Sequence, residues 1–134
     1  MPLEAIEHFN IRAADLEATK NFYCDVLGMK VGERPAFKFP GYWIYLGETA
    51  CVHLIAADNA DVKKEAGSGA IDHVAFAGTD IRGFVANAKA YNVSMKHNKV
   101  SDFGIHQIFV HAPDGIKVEL NFRGEDAQNY HPED

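Results

Sequence analysis

The chain has 134 residues, 47% of them hydrophobic and 24% charged. That is the make-up of one ordinary globular domain, long enough to bury a core without disulfides or a structural metal. Nineteen acidic residues against 13 basic give a net charge of -6, which argues against nucleic acid as a partner, because phosphate binding needs a basic surface. No apolar run approaches the about 18 residues that cross a bilayer, so no membrane contact is expected. The opening MPLEAIEHF lacks the basic and apolar regions of a signal peptide. Two cysteines, Cys24 and Cys51, form no CxxC and read as small core residues in a reducing cytoplasm.

Two copies of one module make up the chain. Ile6-Glu7-His8 returns as Ile71-Asp72-His73, Asp15-Leu16 as Asp80-Ile81, and Val52-His53-Leu54 resembles Val118-Glu119-Leu120. Residues 1–67 carry seven basic and ten acidic side chains and residues 68–134 six and nine, so each half is -3. The expected organisation is a single domain over 1–134, with module one at about 1–56, a linker at about 57–70, module two at about 71–123 and an acidic tail at 124–134.

In module one, Ala5 to Arg12 alternates as a strand does. Asp15 is placed to cap a helix whose apolar stripe is Leu16, Thr19, Phe22, Tyr23, Val26 and Leu27. Gly28 suits its left-handed end. Short strands are predicted near 29–34, 41–47 and 50–56. The linker carries Gly67-Ser68-Gly69, a flexible composition. In module two, Ile71 to Gly78 predicts a strand and Asp80 caps a helix with Ile81, Phe84, Val85 and Ala88 on one face. Strands near 94–100, 105–111 and 116–122 follow, with Pro113-Asp114-Gly115 as a turn. The tail reads as frayed.

Strand parity sorts the polar residues. His8, Asn10 and Arg12 oppose Phe9 and Ile11; His53 opposes Val52 and Leu54; His73 opposes Val74 and Phe76; Lys117, Glu119 and Asn121 oppose Val118, Leu120 and Phe122. Counted back from Glu119, Phe109, Gln107 and His111 share its face and His106 does not. A face bearing His8, His53, His73 and Glu119 costs desolvation unless its polar groups are paired or bind a metal. Three neutral imidazoles and one carboxylate suit one divalent ion: Fe, Mn, Ni, Co or Zn. The two-fold relation of the modules is expected to bring the four together. Phe37, Phe39, Tyr42 and Trp43 around Pro40-Gly41 are candidates for an apolar substrate wall, with Gln107 and His106 as supports of the ligands. His97 and His131, in polar surroundings, read as solvated.

The segment His8-Phe9-Asn10-Ile11-Arg12, with Asp15-Leu16, Asn21-Phe22-Tyr23 and Val26-Leu27-Gly28-Met29, resembles the opening of the vicinal oxygen chelate superfamily. Asp114-Gly115-Ile116-Lys117-Val118-Glu119-Leu120 resembles its closing turn and strand. The resemblance implies an α+β fold of two tandem βαβββ modules, a curled mixed sheet around a metal, and a homodimer. It implies three functions: a glyoxalase-type isomerase or lyase acting on a small substrate with adjacent oxygens, an Fe(II) extradiol ring-cleaving dioxygenase, and a non-catalytic ligand-sequestering protein of the bleomycin-resistance type. In the first, His8, His53, His73 and Glu119 hold the metal, Glu119 is also the catalytic group, and Arg12, Asn10, Trp43, Phe109 and Gln107 line the substrate. Glyoxalase I usually carries a carboxylate where His53 stands, and Arg12 stands where it uses an Arg to hold a glutathione carboxylate. The dioxygenases and fosfomycin transferases carry a Tyr ten residues before the final Glu, where this chain has Phe109.

Overall fold

The computed structural model describes residues 2–57 and 67–132, so most of the expected linker lies outside the described residues. The chain divides into two compact units, Met1–Lys64 and Glu65–Asp134. Each is a four-stranded mixed sheet carrying helical segments, and the two share one strand order. The architecture is α+β, with two tandem four-stranded modules as the repeat predicts.

In the first unit, β1 (Phe9–Ala13), β2 (Lys30–Gly32), β3 (Gly41–Leu46) and β4 (Thr49–Ala56) stand in the order β1-β4-β3-β2. β1 runs parallel to β4, with Asn10 opposite His53, while β3 runs antiparallel to β4, with Trp43 opposite His53. The first strand begins later than alternation predicts; Ala5 to His8 precede it. α1 (Leu16–Asn21) starts where Asp15 Oδ1 accepts the Ala18 N–H at 3.0 Å. It then widens into a single π-type turn over Phe22–Val26, which seats Phe22, Tyr23 and Val26 in the core. Gly28 closes it at φ 77°, where a side chain is disfavoured. Ile44, Val52 and Leu54 are fully buried, and Ile11, Ala13 and Met29 nearly so.

In the second unit, β5 (His73–Gly78), β6 (Lys96–Val100), β7 (Ile105–His111) and β8 (Lys117–Arg123) stand in the order β5-β8-β7-β6. α2 (Ile81–Ala90) is capped by Asp80, whose Oδ1 accepts the Gly83 N–H at 3.0 Å. Ile81, Val85 and Ala88 of α2 are buried, as are Ile108, Val110, Val118, Leu120 and Phe122 of the sheet. The Pro113-Asp114-Gly115 turn forms, with Gly115 at φ 85° and its N–H on the Ala112 carbonyl at 2.9 Å.

Two expectations need correction. The tail is not frayed throughout: α3 (Glu125–Gln128) follows β8, and Ala127 and Tyr130 are 2% and 4% exposed. Two buried apolar side chains anchor a segment that its charge made look solvated. Gly67-Ser68-Gly69 is a defined turn, with the Gly67 N–H donated to the Asp114 carbonyl at 2.9 Å.

Candidate metal and ligand site

In the first unit, three rings stack. His53, 8% exposed on β4, lies 3.7 Å from the His8 ring with an interplanar angle of 11°, and 4.1 Å from the Trp43 ring at 13°. Burial, then the neighbouring His8, pushes the His53 pKa below the ordinary imidazole value. That favours the neutral ring a metal requires. His8 Nδ1 meets Glu7 Oε1 at 3.0 Å. Asn10 and Arg12 are exposed on β1. Of the aromatic group predicted as a substrate wall, Trp43 joins this stack, whereas Phe37 and Phe39 stack on each other at 5.1 Å. Arg34 lies over both of those rings, at 5.0 and 5.1 Å.

In the second unit, Glu119 is 8% exposed on β8 and has three partners. Its Oε1 lies 3.1 Å from His73 Nε2. Its Oε2 accepts from Asn121 Nδ2 at 2.8 Å and from Gln107 Nε2 at 3.1 Å. Gln107 is held in turn by Asn98, whose Nδ2 donates to Gln107 Oε1 at 2.8 Å. One carboxylate oxygen is therefore occupied by two amides while the other faces the imidazole. His73 Nδ1 meets Asp72 Oδ2 at 2.8 Å. Asp72 also pairs with Lys117 Nζ at 2.9 Å. Lys117, then His73, lowers the Asp72 pKa to about 2. Phe109 sits opposite Glu119 in the β7–β8 register, its ring edge-on to His73 at 6.4 Å.

Each unit thus gathers two of the four predicted ligands: His8 with His53, and His73 with Glu119. Among the described residues no three His, Cys, Asp or Glu side chains form a group able to hold a metal. The donor chemistry nevertheless fits a divalent ion. In both repeats an acid one residue upstream engages Nδ1 of the histidine, the arrangement that orients a metal-binding imidazole; in the second, Nε2 faces Glu119 Oε1. Glu7 and Asp72 were present in the repeat motif, yet strand alternation assigned them no role. Asn121 and Asn98 were missed as well. Asn121 stands two residues on from Glu119 along the same face of β8, and the register of Asn98 opposite Gln107 brings Asn98 to the amide that braces the carboxylate.

The structure redirects two other histidines. His106 is 1% exposed and faces away from Glu119, so it supports none of the ligands directly. His97 is not solvated: its Nδ1 lies 2.8 Å from His106 Nε2, and its ring stacks near Tyr130 at 6.1 Å. Tyr130 packs against both rings, 6.1 Å from His97 and 5.6 Å from His106. Cys24 and Cys51 are free and half-buried, and burial raises both thiol pKa values. Among the described residues no helix is long and apolar enough to cross a membrane.

Paired repeats that each set a histidine pair or a histidine–carboxylate pair on the sheet face define a class of small metal-binding or ligand-binding folds. The model of the Glyoxalase/Bleomycin resistance protein/Dioxygenase superfamily matches residues 5–120, and the chain belongs to that superfamily. It is 26% identical over 123 residues to the Arabidopsis thaliana protein named Glyoxylase I 4, covering 88% of this chain and 70% of that one. It is 27% identical to the trypanothione-dependent glyoxalase I of Leishmania major, with a TM-score of 0.64 and coverage of 88% and 86%. The fold is also that of a fosfomycin resistance protein from Listeria monocytogenes, solved in mutant form with Mn(II) and a dihydroxypropylphosphonic acid. There the identity is 13%, the TM-score 0.70 and the coverage 95% and 98%.

Proposed function

We propose that the chain is a metal-dependent enzyme of the glyoxalase type, acting as an isomerase or lyase on a small substrate with two adjacent oxygens. His8, His53, His73 and Glu119 hold one divalent cation (Fe, Mn, Ni, Co or Zn), and Glu119 also moves the substrate proton. The carrying observation is the repeated acid–histidine pair, Glu7 with His8 at 3.0 Å and Asp72 with His73 at 2.8 Å. Similarity to two proteins named as glyoxalase I enzymes supports the same reading. A divalent cation held there would supply Lewis-acid stabilisation of negative charge on the substrate's adjacent oxygens. Glu119 Oε1, the oxygen not engaged by Gln107 and Asn121, takes and returns the proton. Trp43 and Phe109 wall the substrate, and Asn10 and Arg12 meet its polar ends. Leu3 and Ile6, 85% and 94% exposed just before the edge strand β1, support a homodimer in which a second copy covers them. Half-buried free thiols support a reducing, cytoplasmic setting.

The test is turnover of hemithioacetals of 2-oxoaldehydes by protein reconstituted with each metal. The wild type turns over, and Glu119→Gln loses roughly 100-fold or more in kcat. Full activity in Glu119→Gln refutes the assignment. Ligand binding without turnover in either protein identifies a sequestering protein instead.

A second reading, Fe(II) extradiol ring cleavage, is favoured by one feature. His53 is stacked between His8 and Trp43; were it held off the metal, His8, His73 and Glu119 would supply the two-histidine, one-carboxylate set that this iron chemistry needs. Anaerobic iron loading followed by a catechol panel and oxygen decides it. Yellow ring-opened product with oxygen uptake, retained in His53→Ala, supports cleavage; no uptake rejects it.

A further inference from the structure

The second unit has a groove of about 590 Å³, lined in part by Met95, Lys96, Asn98, Phe109, His111 and Lys117, with no acidic residue in its wall. In a chain of net charge -6 this is a local excess of positive charge. The register explains the convergence: Lys96 lies opposite Phe109, which lies opposite Glu119, and His111 lies opposite Lys117, which lies beside His73. All of them therefore share the Glu119 face of the sheet. Lys117 Nζ stands 5.6 Å from the centre of the Phe109 ring and 2.9 Å from Asp72. Asp72 balances one of the two lysines; Lys96 has no acidic partner among the described residues. The groove thus combines an aromatic floor, an uncompensated ammonium group and an imidazole, next to the His73–Glu119 pair.

We propose that this groove is an anion subsite, taking the carboxylate or phosphoryl end of a ligand whose apolar body lies against Phe109. Its role as the subsite that selects anionic substrates rests on the reading of His73 and Glu119 given above; its affinity for anions does not. The experiment uses full-length protein held metal-free with a chelator, and follows binding of phenylphosphonate, benzoate and benzyl alcohol by amide chemical shifts. Both anions are expected to bind with Kd of about 1 mM, perturbing Lys96, Phe109 and Lys117, and benzyl alcohol at least about tenfold more weakly. Lys96→Gln, which breaks no ion pair, weakens the anions roughly three- to fivefold, and Lys96→Gln with Lys117→Gln roughly tenfold or more. Lys30→Gln in the other unit changes nothing. Raising salt from about 20 to about 200 mM weakens anion binding severalfold. The tighter of the two anions identifies the substrate's charged group as carboxylate or phosphoryl. Equal binding of benzyl alcohol, unaltered affinity in the double variant, or no saturable anion binding overturns the subsite. Because metal is excluded, these failures leave the metal assignment untouched, and loss of metal binding elsewhere leaves the subsite intact.

Discussion

Replacing Gln107 by Leu tests the bracing of Glu119. The change removes the amide that donates to Glu119 Oε2 at 3.1 Å and leaves Asn121, at 2.8 Å, as the sole amide donor to that oxygen. It also strips Asn98 of its acceptor, but Asn98 is exposed and water replaces it. Hydrogen bonds to a charged group contribute about 1.5–3 kcal/mol. Loss of a group that orients a metal-binding side chain typically weakens metal about 10- to 100-fold, or about 1.4–2.7 kcal/mol. Both routes give the same size, so Gln107→Leu weakens Mn(II) or Co(II) at least about tenfold. Asn121→Leu has a similar effect. Because both act on one oxygen, the double variant departs from additivity. The assay is competition against a chromophoric chelator, with far-UV circular dichroism to verify folding. Unchanged affinity, within about twofold, in folded Gln107→Leu would refute the idea that this carboxylate is a braced ligand.

Three further outcomes are expected. Burial, then the neighbouring His97 and Lys99, holds the His106 pKa below its ordinary value, so the unfolded chain binds the proton first as pH falls. The stability that neutral His106 supports is full above about pH 7 and declines through about pH 6.5 toward the folded-state value. His53 is shifted the same way, so urea melts of metal-free protein at pH 7.5 and 5.5 should show a drop that is smaller, not absent, in His106→Leu; an equal drop would exclude His106 as a contributor. At Gly41 an added Cβ would lie 2.3 Å from the Leu54 carbonyl oxygen, so Gly41→Ala forces β3 from β4 and costs about 1–3 kcal/mol by denaturant titration; a stability within about 0.5 kcal/mol of wild type counts against that packing. Light scattering should give twice the chain mass for wild type and a lower mass for Ile6→Glu, whose wild-type residue is 94% exposed; a wild-type monomer removes the homodimer.

The repeat, the helix caps and the strand faces were legible because each depends on local chemistry. Asp15 and Asp80 cap whatever lies three residues on, and alternation fixes which side of a sheet His53 or Glu119 occupies. Alternation carries no information about where a partner strand begins, which is why Ala5 to His8 looked like strand. The Glu119 brace was partly legible: parity put Gln107 and Asn121 on its face, but Asn98 reaches Gln107 only through cross-strand register, which depends on turn geometry. The C-terminal segment misled because two apolar anchors, Ala127 and Tyr130, lie among acidic and polar neighbours. Their burial carries His97 and His106 into a packed cluster, although the sequence around His97 is Lys96, Asn98 and Lys99.

In the proposed metal centre, His8 and His53 of one repeat and His73 and Glu119 of the other hold a common cation. Cobalt(II) titration of untagged, metal-free protein, read by the ligand-field spectrum and by elemental analysis after desalting, tests it directly. One ion per chain is predicted, with a saturable spectrum that is lost in both His8→Ala and Glu119→Ala. Substoichiometric retention, or a spectrum and stoichiometry unmoved by either substitution, would contradict it.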